Sequence, residues 1–142
     1  MSTRSRIAVQ QPDGSWDSVY HHYDGYPEGL GITLTQHIPT YDKAVKLVAG
    51  GDISYIDWDT AVVKYYAKRS SWDDPRGGSD EAWDDVAPIN SKTFADLIET
   101  TQGSCGCYLY VYYFQTNGVR CYNPDTREEV RIPKSRKEEA VA

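Results

Sequence analysis

The sequence predicts an α+β fold. An antiparallel sheet forms from an N-terminal hairpin and a C-terminal meander, with two or three helices packed on one face. Three observations predict it. Period-two alternation occurs near both ends of the chain, at 6–23 and 108–122. Period-3.6 apolar stripes lie between residues 30 and 49 and again near 94–98. Turn residues separate these segments, Pro12-Asp13-Gly14 and Asn117-Gly118 being the clearest.

Arg6 to Gln11 reads as the first strand and Trp16 to Tyr23 as the second. Pro12 presets φ for the turn and Gly14 admits a positive φ. A symmetric closure pairs Gln11 with Trp16, Val9 with Ser18, Ile7 with Tyr20 and Ser5 with His22. One face then carries Ile7, Val9, Trp16 and Tyr20. A slip of one residue would invert that assignment. Leu30, Leu34 and Ile38 form a helical stripe that Pro39 ends. Thr40 is an N-cap for a second helix, Tyr41 to Ala49, with Tyr41, Ala44, Val45 and Val48 on its apolar face. Gly50-Gly51 stops it.

The middle is less regular. Asp52 to Ile56 reads as a short strand or extended loop. Thr60 to Ala67 leans toward strand through Val62, Val63, Tyr65 and Tyr66. Residues 70–87 form an acidic insertion in a single domain of residues 1–133. A third helix runs from Ser91 to Thr101, with Asn90 as its cap, Ile89 stapled onto Phe94, and Phe94, Leu97 and Ile98 buried. Tyr108 to Phe114 is the strongest strand. Its tyrosine-rich face is either core or contact surface. Val119 to Tyr122 returns, and Glu129 to Ile132 adds a further strand. Residues 134–142 read as a tail without core residues.

The 142 residues carry 15 Lys+Arg against 21 Asp+Glu, a net charge of −6. That balance argues against general nucleic-acid binding, which requires clustered cations. No apolar run reaches membrane-spanning length, and the N-terminus lacks the apolar core of a secretory signal. Cys105, Cys107 and Cys121 are therefore expected to be reduced thiols. Cys-Gly-Cys is not a zinc or redox spacing, and no His lies near it in sequence. The cysteines read as small hydrophobes buried in a sheet, and a zinc site is the weaker alternative. No metal ligands and no cofactor are expected.

The densest motif is Tyr20-x-His22-x-Asp24-Gly25-Tyr26-Pro27-x-Gly29-x-Gly31, preceded by Ser2-Thr3-Arg4-Ser5-x-Ile7 and Asp13-Gly14. This pattern, with Gly51-Asp52-Ile53-Ser54, resembles a family of small proteins common in bacteriophage and prophage genomes. The resemblance covers roughly the first third of the chain. His21 stands where family members often carry Cys or another residue, and the acidic insertion is not part of the pattern. The family has no agreed activity, so the resemblance implies an origin and not a mechanism.

Three chemical readings fit the motif. Ser5, His22 and Asp24 on one strand face would suit a nucleophile, a base and an orienting carboxylate. Without chemistry, the same residues form a structural network, with Asp24 shaping the Gly25 turn. The third reading is a nucleotide pocket of Arg4, Tyr20, His22, Asp24, Tyr26 and Gly29. Free N–H groups at a helix start near Gly29 would hold phosphate, and tyrosines would stack on a base.

The insertion offers a fourth site. Trp72, Asp73, Asp74, Asp80, Glu81, Trp83, Asp84 and Asp85 interleave indoles with carboxylates. Such a segment is a solvated loop or a surface that docks on a basic groove. The resulting expectation is a phage-type accessory protein that binds a host protein, as an anti-defence or host-takeover inhibitor, in the cytoplasm of the infected bacterium. A small hydrolase or transferase, or a nucleotide sponge, is the alternative. A homodimer through a sheet edge is compatible with either.

Overall fold

The computed structural model describes residues 3–66 and 83–134. Its centre is a mixed sheet ordered β4-β3-β2-β1-β6-β7-β8. The strands are β1 (Ser5–Gln10), β2 (Trp16–His21), β3 (Ile53–Ile56), β4 (Val63–Tyr65), β6 (Tyr108–Tyr112), β7 (Arg120–Tyr122) and β8 (Glu129–Val130). A short strand β5 (Ile89–Ser91) pairs with β2 off this path. The N-terminal hairpin and the C-terminal meander share this one sheet, as the α+β reading requires. Their junction is parallel, however: β1 runs alongside β6, with Ser5 opposite Tyr108 and Val9 opposite Tyr112. The β2–β3 contact is also parallel. Both parallel contacts follow helical crossovers, which is how a chain reaches a parallel neighbour.

The hairpin register differs from the symmetric closure by one residue. Gln10 pairs with Trp16, Ile7 with Val19, and Ser5 with His21. Gln11 belongs to the loop: its N–H donates to the Ser15 carbonyl at 2.7 Å, and Gly14 N–H donates to the Gln11 carbonyl at 2.9 Å. Asp13 Oδ1 accepts from both the N–H and the hydroxyl of Ser15. The extra loop residue moves every β2 side chain to the other face. Ile7, Val9 and Val19 therefore line one core, while Ala8 and Trp16 line the second.

That division explains why helices cover both faces. On the first face, a single π-helical turn (Pro27–Gly31) leads into α1 (Ile32–His37), and α2 (Tyr41–Ala49) follows. Leu30, Leu34, Ala44, Leu47 and Val48 pack there against Ile7, Val9, Tyr110 and Tyr112. Thr40 caps α2 as expected, its hydroxyl accepting from Lys43 N–H. Leu47 replaces Val45 on the buried stripe, and Val45 is exposed. On the second face, α4 (Phe94–Gly103) places Leu97 and Ile98 against Ala8, Trp16, Leu109 and Val111. Trp16 meets Phe94 and Tyr113 edge-on there.

Thr93, not Asn90, caps α4: its backbone is extended and its hydroxyl accepts from Asp96 N–H. Asn90 lies in β5, and its side chain donates to Ser15 Oγ and Asp17 Oδ1. Ile89 is exposed, so no staple onto Phe94 forms. The tyrosine face of β6 is core, because Tyr110 and Tyr112 are fully buried. Their hydroxyls donate to the carbonyls of Gly25 and Ile38, each at 2.7 Å, so each phenol ties a connection to the central sheet.

Candidate functional site

The register decides what the dense motif can do. Ser5 faces His21 rather than His22, with Oγ 3.3 Å from Nδ1. Both residues are buried beneath the loop, and His21 Nε2 has no hydrogen-bond partner. Burial, aided by the neighbouring His22, pushes the His21 imidazole down to about 3, so the ring is neutral. If Nδ1–H donates to Ser5, Nε2 is an unprotonated acceptor. That tautomer leaves only a lone pair unsatisfied, not an N–H.

His22 lies past the end of β2 and turns elsewhere. Its N–H donates to the Ile53 carbonyl, and Nδ1 sits 2.5 Å from the Tyr20 hydroxyl. Asp24 adopts φ +57° at the start of the loop and is exposed. It borders an open groove with Tyr55, Ile56, Asp57, Trp58 and Asp59. Ser5, His22 and Asp24 thus belong to three different environments, which corrects the alignment expected from a symmetric hairpin.

The glycines of the motif answer to crowding. A Cβ on Gly25 would stand 2.5 Å from Ser5 Oγ and 2.8 Å from the Thr3 carbonyl oxygen. A Cβ on Gly29 would stand 2.6 Å from the Asp24 carbonyl oxygen. The N–H groups expected to hold an anion are engaged within the loop. Gly29 N–H donates to the Tyr26 carbonyl and Leu30 N–H to the Asp24 carbonyl. These two donors are therefore occupied by the loop's own carbonyls.

The six residues of the expected nucleotide pocket do not line one cleft. Tyr26 and Gly29 lie with the π-helical turn on the α1–α2 face. Arg4 and Tyr20 instead border an open cleft of about 470 Å³ with Arg6, Asp52, Ile89, Gly103, Ser104 and Cys105. At its floor Arg6 is 2 % exposed. Nε donates to Ser18 Oγ at 2.7 Å and Nη2 to the Ser18 carbonyl at 3.3 Å. Burial lowers its pKa, and Asp52 opposes that effect. Asp52 is itself raised by burial, although its Oδ1 accepts from Tyr20 N–H at 2.9 Å. Asp52, Ser104 and Cys105 were not among the expected ligand residues. Only the Gly51-Asp52 step of the motif hints at the first, and the other two come to the cleft through the end of α4.

Cys105 and Cys107 are exposed in the connection between α4 and β6, which corrects the expectation of buried sheet positions. Cys105 has φ +60°, and Cys107 N–H donates to the Arg4 carbonyl. Cys121 is buried in β7 and burial pushes its thiol up to about 12. Among the described residues, no group of three His, Cys, Asp or Glu is arranged to hold a metal, and no helix is long and apolar enough to cross a membrane.

Of the acidic and aromatic segment, Trp72, Asp73, Asp74, Asp80 and Glu81 lie outside the described residues. Trp83, Asp84 and Asp85 begin a short helical turn, α3 (Trp83–Val86), and all three are exposed. The Trp83 ring lies over Gly51, whose absent side chain makes room for it. Val86 is buried and anchors the turn, its carbonyl accepting from Asp52 N–H at 2.8 Å.

No protein-family model, curated protein or solved structure matches this chain.

Proposed function

We propose that the chain is a phage-type accessory protein that acts by binding a host protein through an acidic and aromatic surface that includes Trp83, Asp84 and Asp85. On this reading it works in the cytoplasm of an infected bacterium, as an anti-defence or host-takeover inhibitor. The observation that carries the reading is α3. It presents an indole, 41 % exposed, beside two exposed carboxylates, on a turn tethered to the sheet through Val86 and Asp52. Trp concentrates at binding hot spots, and carboxylates around it select a basic partner and speed encounter. The net charge of −6 acts in the same direction.

The hydrolase alternative would require Ser5, His22 and Asp24 to converge, whereas Ser5 and His21 share a buried, closed environment. The nucleotide alternative keeps Arg4 and Tyr20 but loses Tyr26 and Gly29.

The test is affinity capture from bacterial lysate with the tagged chain, alongside Trp83→Ala and the double reversal Asp84→Lys/Asp85→Lys. A stoichiometric protein retained by the parent chain and lost from both variants is the expected result. Equal recovery with all three chains would overturn the reading.

A further inference from the structure

We propose that the cleft between β1 and the C-terminal end of α4 binds a small phosphate monoester through Arg4 and Arg6. This site is independent of the protein-binding surface proposed above. Arg4 lies just before β1 and Arg6 within it, and both line the cleft. The Arg4 backbone is fixed by the hydrogen bond its carbonyl accepts from Cys107 N–H at 2.8 Å.

Arg6 supplies the main argument. Arg6 is buried, yet among the described residues its hydrogen bonds go only to Ser18 and no carboxylate lies within 4.0 Å of it. Asp52 lowers the cost of that charge from a greater distance. A buried cation lacking a direct counter-charge is costly, and an anion entering the cleft would supply the missing partner. Guanidinium forks match phosphate oxygens in geometry as well as charge.

The remaining walls favour a phosphate carrying an organic group over the bare ion. Ile89 is 48 % exposed at the rim and offers apolar surface, and the half-buried Tyr20 ring offers more. The Asp52 carboxylate is partly buried and keeps an oxygen beyond the one that accepts from Tyr20 N–H. That oxygen would accept from a hydroxyl or amino group on the organic part of the ligand.

The experiment is calorimetric titration of the full chain with AMP and, separately, with adenosine, repeated on Arg4→Gln. Arg4 is only half-buried, so this variant is expected to fold, and a dispersed amide NMR spectrum establishes that it has. AMP is expected to bind with a dissociation constant below about 1 mM, and adenosine not to bind. Loss of one charge-assisted contact should weaken AMP about tenfold or more in Arg4→Gln. The proposal is overturned by adenosine binding as well as AMP, by unchanged AMP affinity in folded Arg4→Gln, or by no AMP binding up to about 10 mM.

Discussion

The hydroxyl of Ser5 lies 3.3 Å from Nδ1 of His21, across the first two strands, with both side chains sealed from solvent. This pair gives one imidazole a share in the acid stability of the fold. The folded His21 pKa is depressed to about 3 from an ordinary 6.5. The unfolded chain therefore takes up the proton first as pH falls. The contribution is fully present above about pH 6.5 and is lost at up to about 1.4 kcal/mol per pH unit toward pH 3. Urea midpoints between pH 7 and 5 should fall in the parent chain and stay flatter in His21→Leu. Asp52, whose pKa is raised by burial, acts in the opposite direction as it protonates, and the comparison with His21→Leu removes that common contribution.

Gly25→Ala should destabilise the fold by about 1–3 kcal/mol, because its Cβ would meet Ser5 Oγ, Ser5 Cβ and the Thr3 carbonyl oxygen. Adding Ser5→Gly should recover only part of the loss, since the Thr3 carbonyl is backbone and stays. Denaturant midpoints of the two variants check both statements. Full recovery would locate the crowding in the Ser5 side chain alone.

Tyr110→Phe should cost about 1–3 kcal/mol, the penalty for leaving the Gly25 carbonyl without the phenol that donates to it. Amide exchange should quicken near the Asp24–Gly31 loop more than in α4, which packs on the other face. Uniform acceleration across both regions would contradict this account of the tether.

Thr93→Ala should lose about 1 kcal/mol and raise exchange at Asp96 N–H, the group that Thr93 caps. Asn90→Ala should leave that amide protected, because the Asn90 side chain bonds to Ser15 and Asp17 instead. Comparing exchange at that one amide in the two variants separates the cap from the strand.

A thiol reagent should label Cys105 and Cys107 quickly under native conditions, whereas Cys121 should react only after unfolding. Cys121 is buried, and its thiol is pushed up to about 12, so thiolate is scarce at neutral pH. Mass spectrometry of the timed reaction counts the adducts.

The sequence makes some of this architecture readable and hides the rest for identifiable reasons. Helix α2 and its Thr40 cap are legible because stripe, cap and Gly-Gly stop all coincide at Tyr41–Ala49. Strand β6 is legible through its alternation, but which face is core depends on what covers it. The hairpin strands are legible, but their register is not. Whether Gln11 ends the strand or opens the loop is decided by the Gln11–Ser15 hydrogen bond, and no residue type signals it. That one residue separates Ser5 from His22. The start of α4 is misread because Asn90 and Thr93 are both good caps. Pairing of Ile89–Ser91 with Trp16–Ser18 decides between them, and that contact is far away in sequence. The Arg6–Asp52 relationship is hidden for the same reason, since three strands meet to form it.

The parallel seam between β1 and β6 has a consequence for synthesis on the ribosome. The first strand emerges early, while the strand that covers its second edge emerges only once residue 112 has left the exit tunnel. Throughout that interval the hairpin presents an open edge and two apolar faces, a state prone to pairing with other chains. Closure then joins segments from opposite ends of the chain, which makes it slow relative to local hairpin formation. A nascent chain stalled before Tyr108 should engage chaperones, and release of full-length chain should end that engagement in a single step. The tether from Tyr110 to Gly25 means that the loop of the dense motif acquires its final shape only then.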